Sequence, residues 1–433
     1  MSDIYICVDC GGSNTKVVFK TKTMHKPEYL MMPPQVEPIS ADKLKSYQER
    51  QGWIGNPAPE QQAWLLVGEK MFVVGAFASK FDPTDRISEL KYENALYKVL
   101  AAIGVIVQKY KLSTKKLLNI ELAILLPWNE YSDRQRFQKQ IEKFLADYSF
   151  RGQNIRANLT NFFCRPEGGG LVASRVREQG VPWLQERRLG VLMFGHRNTT
   201  ALYFDRGELK SGDSPLIGFS TMLDQIIDMT SGLTRDSLAM AIFKGIQEAS
   251  SEIYRIEQQG YSEKARTYHP NWEKLNAIKA LASAKDLGLK EQEVIDIAKA
   301  IKIATIDYGE KIAKWLTKVF PEPLDEVIIG GGAAKFLEPE LEQYFNCEPQ
   351  IIREHHTDKK VRAFSYQQSD CNQAFTPIVW SAGIGNLVEK TFSLGTREDE
   401  EKALTFRLVD AYGLYDYMVA KVMEGPKNVQ KSA

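Results

Sequence analysis

The residues best equipped for chemistry lie near the start of the chain, in Val8-Asp9-Cys10-Gly11-Gly12-Ser13-Asn14-Thr15-Lys16. Gly11 and Gly12 let the backbone turn sharply and come close to a ligand. Successive N–H groups, helped by Ser13 and Asn14, can then converge on phosphate oxygens. Asp9, at the end of an apolar run, is suited to hold Mg²⁺ through water, which leaves much of that ion's own shell intact. Lys16 can neutralise a β- or γ-phosphate, or serve as a surface strand residue. The spacing is neither G-x-x-x-x-G-K-[ST] nor G-x-G-x-x-G, and a strand rather than a helix follows. This is an anion cradle of another kind, although a G-G-S-N hairpin taken alone is as often a plain turn.

Three further stretches add weight. In Arg165-Pro166-Glu167-Gly168-Gly169-Gly170 a carboxylate precedes glycines and a helix-like segment. At a strand-to-helix corner Glu167 can orient an attacking water in line with a γ-phosphate; the plainer reading is an acidic residue favoured by a helix dipole. Gly330, Gly331, Gly332 and Ala333 follow the apolar run Val327-Ile328-Ile329. They offer a bare platform for a flat adenosine at the N-terminus of the helix expected next. Ala382, Gly383 and Gly385 permit close helix packing in the stretch from Thr376 to Asn386.

The fifth piece is Leu192-Met193-Phe194-Gly195-His196-Arg197-Asn198-Thr199-Thr200, again strand, polar turn and strand. Setting Asp9 through Asn14 over Gly195 through Thr200 makes both flanks coincide, which suggests a duplicated core. Two pairs invite metal or redox chemistry and do not sustain it. Cys7 and Cys10, three apart on a strand, point to opposite faces and read as small core residues. His355-His356, between Cys347 and Cys371, lacks zinc spacing and reads as a loop.

The elements that must position these residues alternate in type. Strands are expected at Tyr5 to Val8, Thr15 to Phe19, Ala63 to Val67, Met71 to Val74 and in the run ending at Trp128, with a polar, proline-bearing stretch from Lys20 to Pro59. Helices are expected at about 87–110, 133–148 and 398–425, with a mostly helical region from Thr221 to Phe320. There Ile297, Ile301, Ala304, Tyr308, Ile312 and Trp315 keep helical spacing and predict a buried stripe. A third strand of the second block is expected at Glu208 to Ser211, and the basic tail after Gly425 reads as disordered. At 433 residues the chain holds two domains. Its net charge of +1 favours neither nucleic acid nor an acidic membrane surface. No apolar run approaches the roughly 20 residues that span a bilayer, and the first residues do not resemble a signal peptide. Five cysteines without framework spacing agree with a reducing compartment, so a soluble, cytoplasmic protein is expected.

These motifs, in this order from Asp9 to Asn386, resemble the superfamily of actin, heat-shock chaperone and sugar-kinase ATPases, and within it the bacterial actin-like ParM/StbA family. The resemblance implies an α/β, actin-like ATPase fold with two duplicated domains flanking a nucleotide cleft. Domain I would be 1–187 plus 378–433, and domain II 188–377. It implies ATP or ADP with Mg²⁺ as cofactors, ATP-controlled polymerisation into homopolymer filaments, and a ParR-type adaptor through which DNA is met only indirectly. Asp9, Gly11, Gly12, Ser13, Asn14 and Lys16 match the first phosphate loop, Glu167 the water-orienting acid, and Gly330, Gly331, Gly332 and Ala333 the adenosine motif. The second loop, Gly195 to Thr200, departs: the family places an Asp at its start, and here Gly195 is expected in that place. Either the loop binds phosphate through its backbone and Thr199 or Thr200, or His196 or Arg197 enters as a donor. Both readings leave hydrolysis slow, which keeps a persistent scaffold open beside plasmid segregation. The rivals are a small-molecule kinase, which needs an acceptor carboxylate for which Asp205 and Asp213, near the second hairpin, lack a supporting motif and read equally as surface-turn residues, and a chaperone, for which no substrate-binding β domain is expected after the ATPase core.

Overall fold

The computed structural model describes residues 2–51, 57–81, 91–258, 270–320, 322–346, 376–394 and 399–424. His355-His356, Cys347, Cys371 and the basic tail lie outside them. The chain divides into two compact units: Met1–Val181 with Ser381–Thr396 and Leu404–Ala433, and Pro182–Trp380 with Arg397–Ala403.

Among the described residues unit 1 holds ten strands: β1 (Ile4–Cys10), β2 (Thr15–Thr21), β3 (Glu28–Met32), β4 (Val36–Ile39), β5 (Trp64–Val67), β6 (Lys70–Val74), β7 (Leu118–Leu126), β8 (Tyr148–Phe150), β9 (Gln153–Ile155) and β10 (Ala157–Pro166). Its main sheet has the order β10-β7-β1-β2-β3, antiparallel through the hairpins and parallel where β7 joins β1 and β10 joins β7. Every residue of β1 is buried, as a central strand covered on both faces requires. Cys7 and Cys10 are free thiols inside it, and burial pushes the Cys7 thiol well up. The second sheet, β4-β6-β5-β8-β9, includes part of the stretch expected to be merely polar. That stretch contains β3, β4 and the helix Ala41–Gln51; Pro38 is tolerated because β4 is an edge strand. Ala95, Leu96, Val99 and Ile103 of the helix Lys91–Lys109 enter the same apolar core as both sheets.

Unit 2 holds β11 (Arg188–Phe194), β12 (Thr199–Asp205), β13 (Glu208–Asp213), β14 (Glu326–Gly330) and β15 (Ile378–Trp380). Their order, β13-β12-β11-β14-β15, repeats the main sheet of unit 1 strand for strand, with β14 parallel to β11 as β7 is to β1. The long helix Leu287–Val319 starts at Asp286, whose side chain accepts from the Leu289 N–H at 3.0 Å. Its six expected stripe residues are all buried.

Candidate functional site

Each main sheet ends in a hairpin turn of the same build. In unit 1 the last pair before the turn is Cys10 with Thr15; in unit 2 it is Phe194 with Thr199. Four residues form each turn, so Gly11 stands where Gly195 stands and Asn14 where Asn198 stands. The close approach repeats as well: a Cβ on Gly11 would lie 2.7 Å from the Asn14 carbonyl oxygen, and one on Gly195 2.7 Å from that of Asn198. This corrects the sequence superposition by two residues. The counterpart of Asp9 is Met193, not Gly195, and the counterpart of Lys16 is Thr200. Strand-turn-strand profiles tolerate such a slip; the hydrogen-bond ladder does not.

Asp9 is 4% exposed and pairs across the hairpin with Lys16, whose ammonium donates to its carboxylate. The lysine is mostly buried and therefore not a plain surface residue. Gly12, Ser13 and Asn14 complete the turn, half-buried. Beside it, β10 ends at Pro166, and Glu167 follows with its N–H bonded to the Leu126 carbonyl at the end of β7. Gly168 then adopts φ 89° as the cap of the helix Gly169–Gln179, a conformation that favours glycine. Glu167 thus occupies the expected corner. Asp9 and Glu167 lie at the carboxyl ends of β1 and β10, the parallel strands on either side of β7, at the usual ligand edge of such sheets.

Two residues at this edge have no local sequence signal. Arg407, on the terminal helix Asp399–Glu424, donates to the Ser13 hydroxyl at 3.1 Å. Burial lowers its pKa, and the Asp9 charge opposes that. Asp410, 1% exposed, accepts from the N–H groups of Gly168 at 2.7 Å, Gly170 at 2.8 Å and Leu171 at 3.3 Å. It caps the helix that follows Glu167. Burial pushes its carboxyl up to about 7; the glycine N–H bonds oppose this, and Asp9 and Glu167 add to it. The available hint is a lone carboxylate among Leu408, Val409, Ala411 and Tyr412, all buried.

In unit 2 the turn is turned inward. The carbonyls of Gly195, His196 and Arg197 accept from Phe219, Ser220 and Gly218 at the start of the helix Phe219–Asp228. Thr199 donates to the Ile217 carbonyl, and Thr200 shares a 2.8 Å hydroxyl bond with Ser214. The glycine run meets this turn from β14: Gly331, with φ 100°, is so close that a Cβ would lie 2.3 Å from the Phe194 carbonyl oxygen. Gly332 is exposed, whereas Ala333 is buried. The expected helix does not begin at the glycines. Turns with bonds from Ala334 to Gly331, Phe336 to Ala333 and Leu337 to Ala334 intervene, and the helix is Glu338–Asn346. Asp213, weighed as a kinase base, is held by the Trp315 indole at 2.8 Å.

A duplicated sheet with a glycine turn at the ligand edge of each copy defines an actin-like α/β protein. Residues 7–170 match the family described as actin-like proteins, N-terminal domain. Among solved structures, Bacillus thuringiensis ParM with AMPPNP aligns at 13% identity and TM-score 0.51, covering 98% of this chain and 99% of that one. The same protein with ADP gives 13% and 0.51, covering 97% and 99%. An Alp12 filament structure gives 14% and 0.50, covering 98% and 100%. No curated protein sequence matches. The chain has an actin-like fold of the ParM type.

Proposed function

We propose that the protein binds ATP and ADP with Mg²⁺ and polymerises into filaments whose lifetime is governed by slow hydrolysis. The observation that carries this reading is the glycine turn closed by the Asp9 and Lys16 pair, with Glu167 at the corner after β10, on the far side of β7 at the same sheet edge. The matches to ParM bound to AMPPNP and ADP and to the Alp12 filament support it.

In this reading Gly11, Gly12, Ser13 and Asn14 cradle phosphate, and Lys16 offsets its charge. Gly195, His196, Arg197, Asn198, Thr199 and Thr200 serve as the second phosphate loop, and Gly330 to Ala333 face the adenosine. Glu167 accepts a hydrogen bond from the attacking water and orients it. Asp9 would hold Mg²⁺ through water, and the ion would neutralise phosphate charge when bound. Among the described residues, no cluster of three His, Cys, Asp or Glu could cage a metal without that help. With Met193 as the counterpart of Asp9 in the duplication, one carboxylate would support the ion, and turnover would be slow.

The filament would be a cytoplasmic homopolymer, engaged in DNA segregation through a ParR-type adaptor or in a persistent scaffold. Among the described residues no helix is long and apolar enough to cross a membrane. Pelleting and electron microscopy with ATP, ADP, AMPPNP or no nucleotide, alongside phosphate release, test the reading. Nucleotide-dependent polymers are expected, with phosphate release lagging assembly. Monomers under every condition overturn it.

A further inference from the structure

Two side chains of the terminal helix, three positions and so about one turn apart, reach both turns of unit 1. Arg407 bonds Ser13 in the first loop, and Asp410 holds three N–H groups just after Glu167. Glycine fixes how the terminal helix sits. A Cβ on Gly413 would lie 2.2 Å from the Gly170 carbonyl oxygen, and one on Gly170 1.9 Å from that of Asp410. The two helices meet backbone to backbone, so neither side chain can be supplied from another register.

We propose that the terminal helix is part of the nucleotide site of unit 1, with Arg407 binding phosphate at the first loop and Asp410 positioning Glu167. The proposal rests on the nucleotide reading above. Asp9, Glu167 and Asp410 gather three carboxylates about one edge, and Lys16 is already engaged with Asp9. A polyphosphate arriving there needs a further cation. Arg407 brings a planar guanidinium to the turn; its bond to Ser13 uses one of five N–H donors, and the fork suits phosphate. The duplication points the same way. Arg197 holds in the second loop the position that Ser13, the partner of Arg407, holds in the first. Asp410 acts one step removed, by fixing the Gly168 and Gly170 N–H groups and with them the corner that presents Glu167.

The test uses the full chain with a fluorescent ATP analogue and phosphate release at fixed Mg²⁺, and thermal unfolding reports folding. Arg407→Ala should weaken analogue binding about tenfold or more, the scale of a charge-assisted bond. Arg407→Lys should restore part of it, and Ser13→Ala combined with Arg407→Ala should cost less than the product of the two. Asp410→Asn should leave binding within about threefold while kcat falls about tenfold, a split that lost packing alone would not give. If Arg407→Ala proves too unstable, Arg407→Lys and the Ser13→Ala variant decide the matter. Folded Arg407 variants that bind like wild type, or an Asp410→Asn variant with unchanged kcat, overturn the proposal while the nucleotide reading stands. A wild-type chain that binds no analogue overturns both.

Discussion

The two hairpin turns share a backbone and differ in charge. Both close on four residues, both need glycine first, and both end at an Asn carbonyl. Yet the strand positions behind them hold Asp9 and Lys16 in unit 1 and Met193 and Thr200 in unit 2. The first turn also gathers Glu167, Arg407 and Asp410, whereas the second spends its carbonyls on a helix start. A duplicated scaffold has kept the turn geometry, while the carboxylate and lysine behind the turn stand in the first copy and are replaced by Met193 and Thr200 in the second. Hydrolysis should therefore answer to unit 1.

Glu167→Gln is expected to give the largest effect. Phosphate release should fall by about 10² or more, with ATP binding retained, because a positioned base contributes roughly 10²–10⁴. Filaments should then persist in ATP. An unchanged rate would move the water-orienting role elsewhere and break the contrast.

Next is the pH response of unit 1, measured without nucleotide or Mg²⁺. Burial, with Asp9 and Glu167 facing it, raises the Asp410 carboxyl from 3.8 to about 7. Between those values the folded chain keeps a proton that the unfolded chain has released, so stability falls as pH rises and levels off above about 7. Asp410→Asn cannot titrate. The stability of wild type relative to this variant should fall by about 3 kcal/mol from pH 4 to pH 7.5, as denaturant unfolding would show. Glu340, in unit 2, is also raised by burial to about 7, which is why the difference from the variant is the quantity to follow.

Met193→Asp attacks the contrast from the other side. Without ligand, a carboxylate at this buried position should cost about 2–3 kcal/mol. If the position is the true counterpart of Asp9, Mg²⁺ with ATP should raise the variant's melting temperature more than that of wild type. An equal shift in both would show that Met193 does not face the nucleotide.

The first loop was legible because its turn chemistry is contiguous: the glycines, Ser13 and Asn14 act within a few residues of Asp9. The stripe from Ile297 to Trp315 was legible because helical spacing repeats. The offset between the two loops was not, since matching profiles leave the pairing register open and only the ladders show that Met193 is the counterpart of Asp9. Arg407 and Asp410 were invisible for a different reason. They lie 394 residues from Ser13 and 242 from Gly168, and no local rule reaches that far. The helix expected directly after Gly332 failed because the chain first makes a series of tight turns, and it enters the helix only at Glu338, just before Pro339.

The smallest expected effect is a difference near zero. Gly11→Ala and Gly195→Ala each drive a methyl group to 2.7 Å from a backbone carbonyl oxygen, and a hairpin turn held on both sides by strands has little room to give. Each should cost about 1–3 kcal/mol, the usual penalty for overpacking. Turn length, nearest atom and distance coincide, and a Cβ on Gly11 additionally meets only the flexible end of Lys16, at 3.3 Å, so the two costs should agree within about 0.5 kcal/mol in denaturant titrations of the nucleotide-free chain. Added ATP should separate them: Gly11→Ala perturbs the turn bearing Asp9 and Lys16 and should lose more of its ligand-induced stabilisation. Equal costs without ATP and unequal recovery with it would show that backbone duplication and ionic specialisation are independent features of this chain.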